Sequence, residues 1–166
     1  MDAQDQRNPV RNLGLLPTGR CVLAATDGHS RSGLLVDRVL WCADDPPALL
    51  VALPVGATVT PLILSSRRFT LSQLGAHERS VSRKFAIDPE PGDDPFDGFP
   101  HHSPLGGAPI LSVAVAYYSC ELIRHFDLDS DHEIMVGQVV TAKRQRQDVE
   151  PEILLGSESV WDETDA

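Results

Sequence analysis

The sequence predicts a mainly β domain with short helices. Three observations predict it. Short apolar runs recur at close spacing along the first third of the chain, each ended by Asp, Gly or Pro. Phe69 to Leu74 alternates apolar and polar residues, which is strand periodicity. Two long runs rich in β-formers flank the acidic turn Asp127 to Asp131. At 166 residues the chain suits one domain. Hydrophobic residues at 42% and charged residues at 23% are sufficient for a core and a solvated surface.

Taken in order, residues 1–14 read as an N-terminal arm and 15–155 as the domain. Gly19 to Thr26 reads as a strand entering a turn at Asp27-Gly28. Gly33 to Trp41 is a second apolar run, ended by Asp44-Asp-Pro-Pro47, and Ala48 to Leu53 is a third. Such short, turn-linked strands suit an antiparallel sheet able to close into a barrel. Thr60-Pro61 reads as an N-cap followed by proline at the first helical position, opening a helix over about 60–68. Gly75 to Ala86 reads as a second, more polar helix with a narrow apolar face at Val81, Phe85 and Ala86.

Residues 87–109 carry six prolines and four glycines, a density that excludes a long helix or strand. Loops of this length inside a compact domain are usually functional or mobile. Ile110 to Phe126 and Glu133 to Lys143 then read as one long hairpin. The remainder, from Gln145, is polar apart from Ile153-Leu154-Leu155, which reads either as a last core strand or as a strand across a partner subunit. Residues 156–166 read as an acidic C-terminal tail.

Charge and cysteine content narrow the function classes. Asp plus Glu number 24 against 14 Lys plus Arg, a formal net charge of -10. That balance argues against nucleic acid and anionic membranes as general partners, while leaving room for a local basic pocket. No apolar run approaches the roughly 20 residues of a membrane helix, and Met1 to Asn12 is too polar for a signal peptide. Cys21, Cys42 and Cys120 lie in apolar segments without CxxC or zinc spacing. They are expected to be buried thiols in a reducing cytoplasm. The sequence also lacks G-x-S-x-G, a P-loop and a G-x-G-x-x-G after a strand.

Four stretches carry a family likeness. Gly33 to Pro47 is similar to a strand pair ending in an Asp-Pro-Pro turn. Thr60 to Phe69 is similar to a short helix running into an aromatic-led strand. Leu105-Gly-Gly-Ala-Pro-Ile-Leu, with Cys120-Glu121 beyond it, is similar to a G-x-P-x-L … C-E stretch. Asp131-His132-Glu-Ile-Met-Val-Gly137-Gln-Val139 matches D-H-x-I-x-x-G-x-V, the most specific of the four. In that order and spacing, over about residues 14–155, the chain resembles the flavin reductase-like, FMN-binding split-barrel family. The resemblance implies a six-stranded split β-barrel, usually a homodimer. It implies FMN or FAD near the subunit interface, reduced by NADH or NADPH, and often a partner monooxygenase that receives the reduced flavin.

A flavin mononucleotide needs donors and positive charge at its phosphate, an apolar slot for its ring, and donors at its N1–C2=O edge, where negative charge collects on reduction. For the phosphate, the start of the first helix offers Thr58 and Thr60, as an anion site or simply as a cap. Lys84, beside Arg83 and Phe85, resembles the family's basic helix end, although a helix C-terminus favours a cation by itself. For the ring, the resemblance points to Leu35, Val36, Asp37 and Arg38. Family members often carry a G-x-T-x-S/N-S-x-T-S-x-S hydroxyl set here, and this chain replaces most of it. Arg38 has a fork suited to the phosphate or the ring edge. Asp37 would repel an anionic reduced ring, or would merely pair with an arginine to close the strand. His132, in the D-H-x-I strand, is the expected catalytic residue, near flavin or nicotinamide. His101-His102 in the proline-rich loop could cover the flavin or be a solvated pair. The competing reading is a non-catalytic split barrel with a degenerate flavin site.

Overall fold

A computed structural model describes residues 13–155, so most of the expected arm and the whole acidic tail lie outside the described residues. The strands are β1 (Pro17–Gly19), β2 (Cys21–Thr26), β3 (Arg31–Val36), β4 (Val39–Asp44), β5 (Pro47–Pro54), β6 (Arg68–Gln73), β7 (His101–His102), β8 (Ile110–Leu111), β9 (Ala116–Asp127), β10 (His132–Arg144) and β11 (Ile153–Leu155). The helices are α1 (Val59–Ser66) and α2 (Arg79–Phe85), with a 3-10 turn at Pro104–Gly106.

Seven strands form one antiparallel sheet in the order β3-β2-β6-β9-β10-β5-β4. Its two edges are β3 and β4, which are consecutive in the chain and joined only by Asp37 and Arg38. Three Cα steps span at most about 11 Å. Six strand spacings laid flat would separate the edges by about 29 Å. The sheet must therefore curl until its edges face each other. The Ala52 N–H donates to the Arg38 carbonyl (3.0 Å), extending the β4–β5 ladder into the crossing, and β3 and β4 do not pair. The result is a split barrel as expected, but with seven strands in its sheet where six were expected. The run Gly33 to Trp41, read as one strand, breaks in two at the crossing.

Strand alternation puts two cores on the two faces of β2. Cys21, Leu23 and Ala25 face the barrel interior with Leu34, Val51, Leu53, Phe69, Leu71 and Met135. Val22 and Ala24 face outward against Val81 and Phe85 of α2, Phe96 of the proline-rich segment and Leu111 of β8. β2 thus reads as a continuous apolar run because both its faces are covered. α1 lays Val59 and Ile63, one turn apart, on the interior core.

Several boundaries differ from expectation, each for a local reason. α1 begins one residue earlier, with Thr58 as its N-cap, so Pro61 falls in the first turn but not at its first position. α1 stops at Arg67, whose left-handed φ of 60° turns the chain directly into β6. The segment before Arg79 is a turn, so α2 keeps only its last two turns. Residues 87–109 are irregular except for β7 and the 3-10 turn. Cys21 and Cys120 are buried thiols, pushed up to about 12 by that burial. Cys42 is exposed, because β4 is a sheet edge with an uncovered flank. Ile153–Leu155 is no core strand: it pairs with β1 of its own chain, and Ile153 is exposed.

Gly137 sits at a bulge between β9 and β10, directly over Phe69. A Cβ there would lie 2.5 Å from the Phe69 ring and 2.7 Å from Cys120 Cβ. Gly137→Ala is expected to lower stability by about 1–3 kcal/mol through overpacking. A denaturant midpoint equal to wild type would contradict this packing.

Candidate functional site

The seam between β3 and β4 gathers several of the expected residues. The two-residue crossing projects Arg38 out of the barrel wall, and β10 begins beside it, with His132 paired in register to Pro54. Arg38 Nη1 donates to His132 Nε2 at 2.9 Å. Because Nε2 accepts, the proton of a neutral imidazole sits on Nδ1, which faces Asp131 Oδ1 at 3.0 Å. His132, followed by the Ser130 hydroxyl, draws the Asp131 carboxyl below its ordinary range. Asp131, His132 and Arg38 therefore form one directional chain ending in a guanidinium.

The next residue faces the other way, as strand alternation requires. Glu133 is buried and bridges two elements: its carboxyl accepts the Thr60 hydroxyl (2.7 Å) and the His125 Nε2–H (2.8 Å). Sequence reading passed over Glu133 and His125. Their spacing across a hairpin is eight residues, a separation without a local periodic signature.

The start of α1 is occupied by one of the chain's own carboxylates. The Asp88 carboxylate accepts the Thr58 N–H (3.0 and 3.2 Å) and the Thr58 hydroxyl (2.7 Å). Ser32 Oγ lies 2.7 Å from Thr58 Oγ1. An anion does sit at this helix tip, as its dipole and unpaired N–H groups favour, but it is the chain's own side chain. Thr60, expected to serve the phosphate, is held by Glu133 instead.

The remaining expected residues divide. Val36 points into the barrel core, so its side chain lines no crevice. Leu35 is half-buried against the outer core and Asp37 is half-buried at the crossing. Lys84 is exposed in the last turn of α2, with no hydrogen bond or ion pair among the described residues.

Two hollows adjoin Arg31 and the proline-rich segment. One, about 350 Å³, is lined by Gly28, Arg31, Asp93, Asp94, Ser103 and Gly107, among others. Another, about 240 Å³, shares Ser30, Arg31, Gly92 and Asp93 with it and reaches Thr58 and Pro61. Together they form a trough that ends at the helix tip and shares no residue with the Arg38–His132 pair. Arg31 organises its wall. Its guanidinium grips Asp94 (Nε at 3.0 Å, Nη2 at 2.7 Å), donates to His101 Nε2 (2.9 Å) and lies 5.7 Å over the Phe96 ring. His101 thus ties the proline-rich loop to Arg31 and to the Phe99 carbonyl (2.7 Å), while His102 is exposed. Among the described residues no cluster of His, Cys, Asp and Glu suits a metal ion, and no helix is long and apolar enough to cross a membrane.

This architecture is that of flavin-reductase split barrels. It superposes with a TM-score of 0.81 on the NADH:FAD oxidoreductase of Streptomyces globisporus, at 28% identity over 95% of this chain and 93% of that one. The flavin reductase component of a bacterial two-component tryptophan halogenase matches at TM-score 0.76 and 25% identity, covering 94% and 95% of the two chains. In sequence, the chain is 31% identical over 148 residues to the NADPH-flavin oxidoreductase of Streptomyces viridifaciens, covering 86% of this chain and 76% of the relative. It spans only 23% of the length of the Synechocystis diflavin flavoproteins that it also matches. The model of the flavin reductase like domain family matches residues 13–160, and the chain belongs to that family.

The Arg31–Asp94 contact has a testable pH dependence. The Arg31 fork, aided by the Phe96 N–H, holds the Asp94 carboxyl below its ordinary 3.8 despite partial burial. A lowered folded-state value stabilises the fold above that ordinary value and is lost as pH falls further. The pair is 31% and 42% exposed, so its contribution stays under about 1 kcal/mol. Asp94→Asn is expected to change global stability by no more than this while speeding proteolytic cleavage within residues 87–100. Unchanged cleavage would show that other contacts hold the loop.

Proposed function

We propose that this protein reduces flavin with NADH or NADPH and presents the flavin's N1–C2=O edge to Arg38. The carrying observation is the fixed guanidinium at the barrel seam, held by His132 where relatives often place hydroxyl donors. A flavin, when bound, supplies the hydride acceptor and carries the two electrons onward. The chain's task is to seat the ring and to stabilise negative charge at that edge, which a hydrogen-bonded arginine does better than a hydroxyl. The donor set fits the ring edge. The tip of α1 does not fit a phosphate while the Asp88 carboxylate fills it. The names of the relatives support flavin as the oxidant and a reduced nicotinamide as the donor.

Assembly follows from the exposed apolar surface. β4 is a sheet edge and carries Leu40 and Trp41, 59% and 70% exposed. Ile123 and Phe126 on β9 and Val140 on β10 are also exposed. Large apolar groups on an edge strand favour association, and a second copy of this chain is the proposed partner, giving a homodimer. A partner monooxygenase or related oxygenase is the proposed acceptor of reduced flavin, supported by the halogenase reductase component among the similar structures. The buried free thiols of Cys21 and Cys120 support a reducing, cytoplasmic setting.

A second reading is favoured by one observation, the Asp88 carboxylate on the helix tip: a split barrel whose flavin site has degenerated. Two measurements separate the readings. Purified protein should bind FMN or FAD saturably and oxidise NADH or NADPH in its presence. Absence of both would support the degenerate barrel. Arg38→Ala is expected to weaken flavin binding about tenfold or more, from loss of a charged hydrogen bond; unchanged affinity would remove Arg38 from the ring edge. Asp88→Asn keeps a carbonyl acceptor for the Thr58 N–H but removes the charge. It is expected to raise FMN affinity relative to riboflavin about two- to fivefold. A constant ratio would place the phosphate away from α1.

A further inference from the structure

We propose that Asp131 is a positioning residue for flavin reduction, acting on the flavin through His132 and Arg38. The inference rests on the reading that the ring edge lies at Arg38. It adds the group that decides where that guanidinium points.

A free arginine on a two-residue crossing has four side-chain torsions and no preferred direction. Here its Nη1 is captured by the lone pair of His132 Nε2. An imidazole offers that lone pair only as the Nδ1–H tautomer, and an imidazole in water can carry its proton on either nitrogen. Asp131 Oδ1, 3.0 Å from His132 Nδ1, selects the tautomer that Arg38 requires. The same turn anchors Asp131 itself. The Asp131 carbonyl accepts the Val55 N–H (3.0 Å), its carboxylate accepts the Ser130 hydroxyl (3.1 Å), and Asp127 caps the turn by accepting the Asp129 N–H (2.8 Å). No competing carboxylate reaches His132 among the described residues. Glu133 faces the opposite side of β10, where Thr60 and His125 hold it. The side-chain exposures agree with the roles: His132 is 23% exposed, between an outer carboxylate at 86% and the seam.

A positioning carboxylate and a merely nearby charge predict opposite effects on reduced flavin. Removing a negative charge from the vicinity should favour the anionic reduced ring by simple Coulomb attraction. Removing the group that orients His132 should disfavour it, because Arg38 leaves the ring edge.

The experiment measures the affinity of reduced relative to oxidised FMN, read as the midpoint potential of bound flavin, in wild type, D131A, D131N, R38A and R38A/D131A. D131A is expected to lower the ratio about three- to tenfold, the scale of coupling between hydrogen-bonded neighbours. D131N should stay near wild type, because its carbonyl accepts the same Nδ1–H without the charge. R38A/D131A should match R38A. A rise in both D131A and D131N, a D131A value equal to wild type, or a D131A effect that persists without Arg38 each overturns the inference. Nitrogen NMR of the His132 ring in flavin-free protein gives a second reading: Nδ1–H in wild type and D131N, a tautomer mixture in D131A. An unchanged ring spectrum in D131A overturns the positioning role. Failure of wild type to bind FMN or FAD at all would sink the flavin reading itself; binding with an inert D131A would sink only the inference.

Discussion

The two-residue crossing between β3 and β4 governs this structure. A chain that leaves one edge of a seven-stranded sheet and enters the other within two residues can do so only on a sheet curled back on itself. Curling creates the enclosed core of Leu23, Val51, Phe69 and Met135, and it requires close backbone approach where Gly137 lies over Phe69. It also leaves a seam. At the seam two side chains, Asp37 and Arg38, stand outside the ladder. Arg38 there is exposed and Asp37 half-buried.

Acidic residues occupy the positions that organise both sides of the barrel. Asp88 caps α1, Glu133 ties α1 to β9 through Thr60 and His125, Asp94 grips Arg31, and Asp131 orients His132. The net charge of -10 is thus more than a solubility device. Several of its carboxylates neutralise or direct the few cations and the helix tip. The hollow beside α1 and the barrel seam are distinct places that share no residue.

Much of the fold was legible in residue order. The apolar run at Cys21 to Ala25, the alternation from Phe69, and the long hairpin around Asp127 to Asp131 follow from side-chain period and turn chemistry, which act locally. The family likeness, strongest in the Asp131 to Val139 stretch, supplied the barrel. Within the site, Arg38 was legible as a fork suited to an oxyanion or ring edge and His132 from the D-H-x-I strand of the family, and the structure brings them together. The break at Asp37, the exposure of Cys42, the burial of the Val36 side chain and the pairing of Ile153–Leu155 with β1 were not legible, since each depends on which strand becomes an edge.

By itself, then, the chain's sequence determined the strands, the turns, the family and the chemical types at the seam, because these depend on neighbours a few residues apart. Tertiary structure alone decided that Asp88 reaches the helix tip 30 residues earlier, that Glu133 meets Thr60, and that Arg38 finds His132 across 94 residues. Contacts at such separations are made by sheet closure, and no local periodicity encodes them.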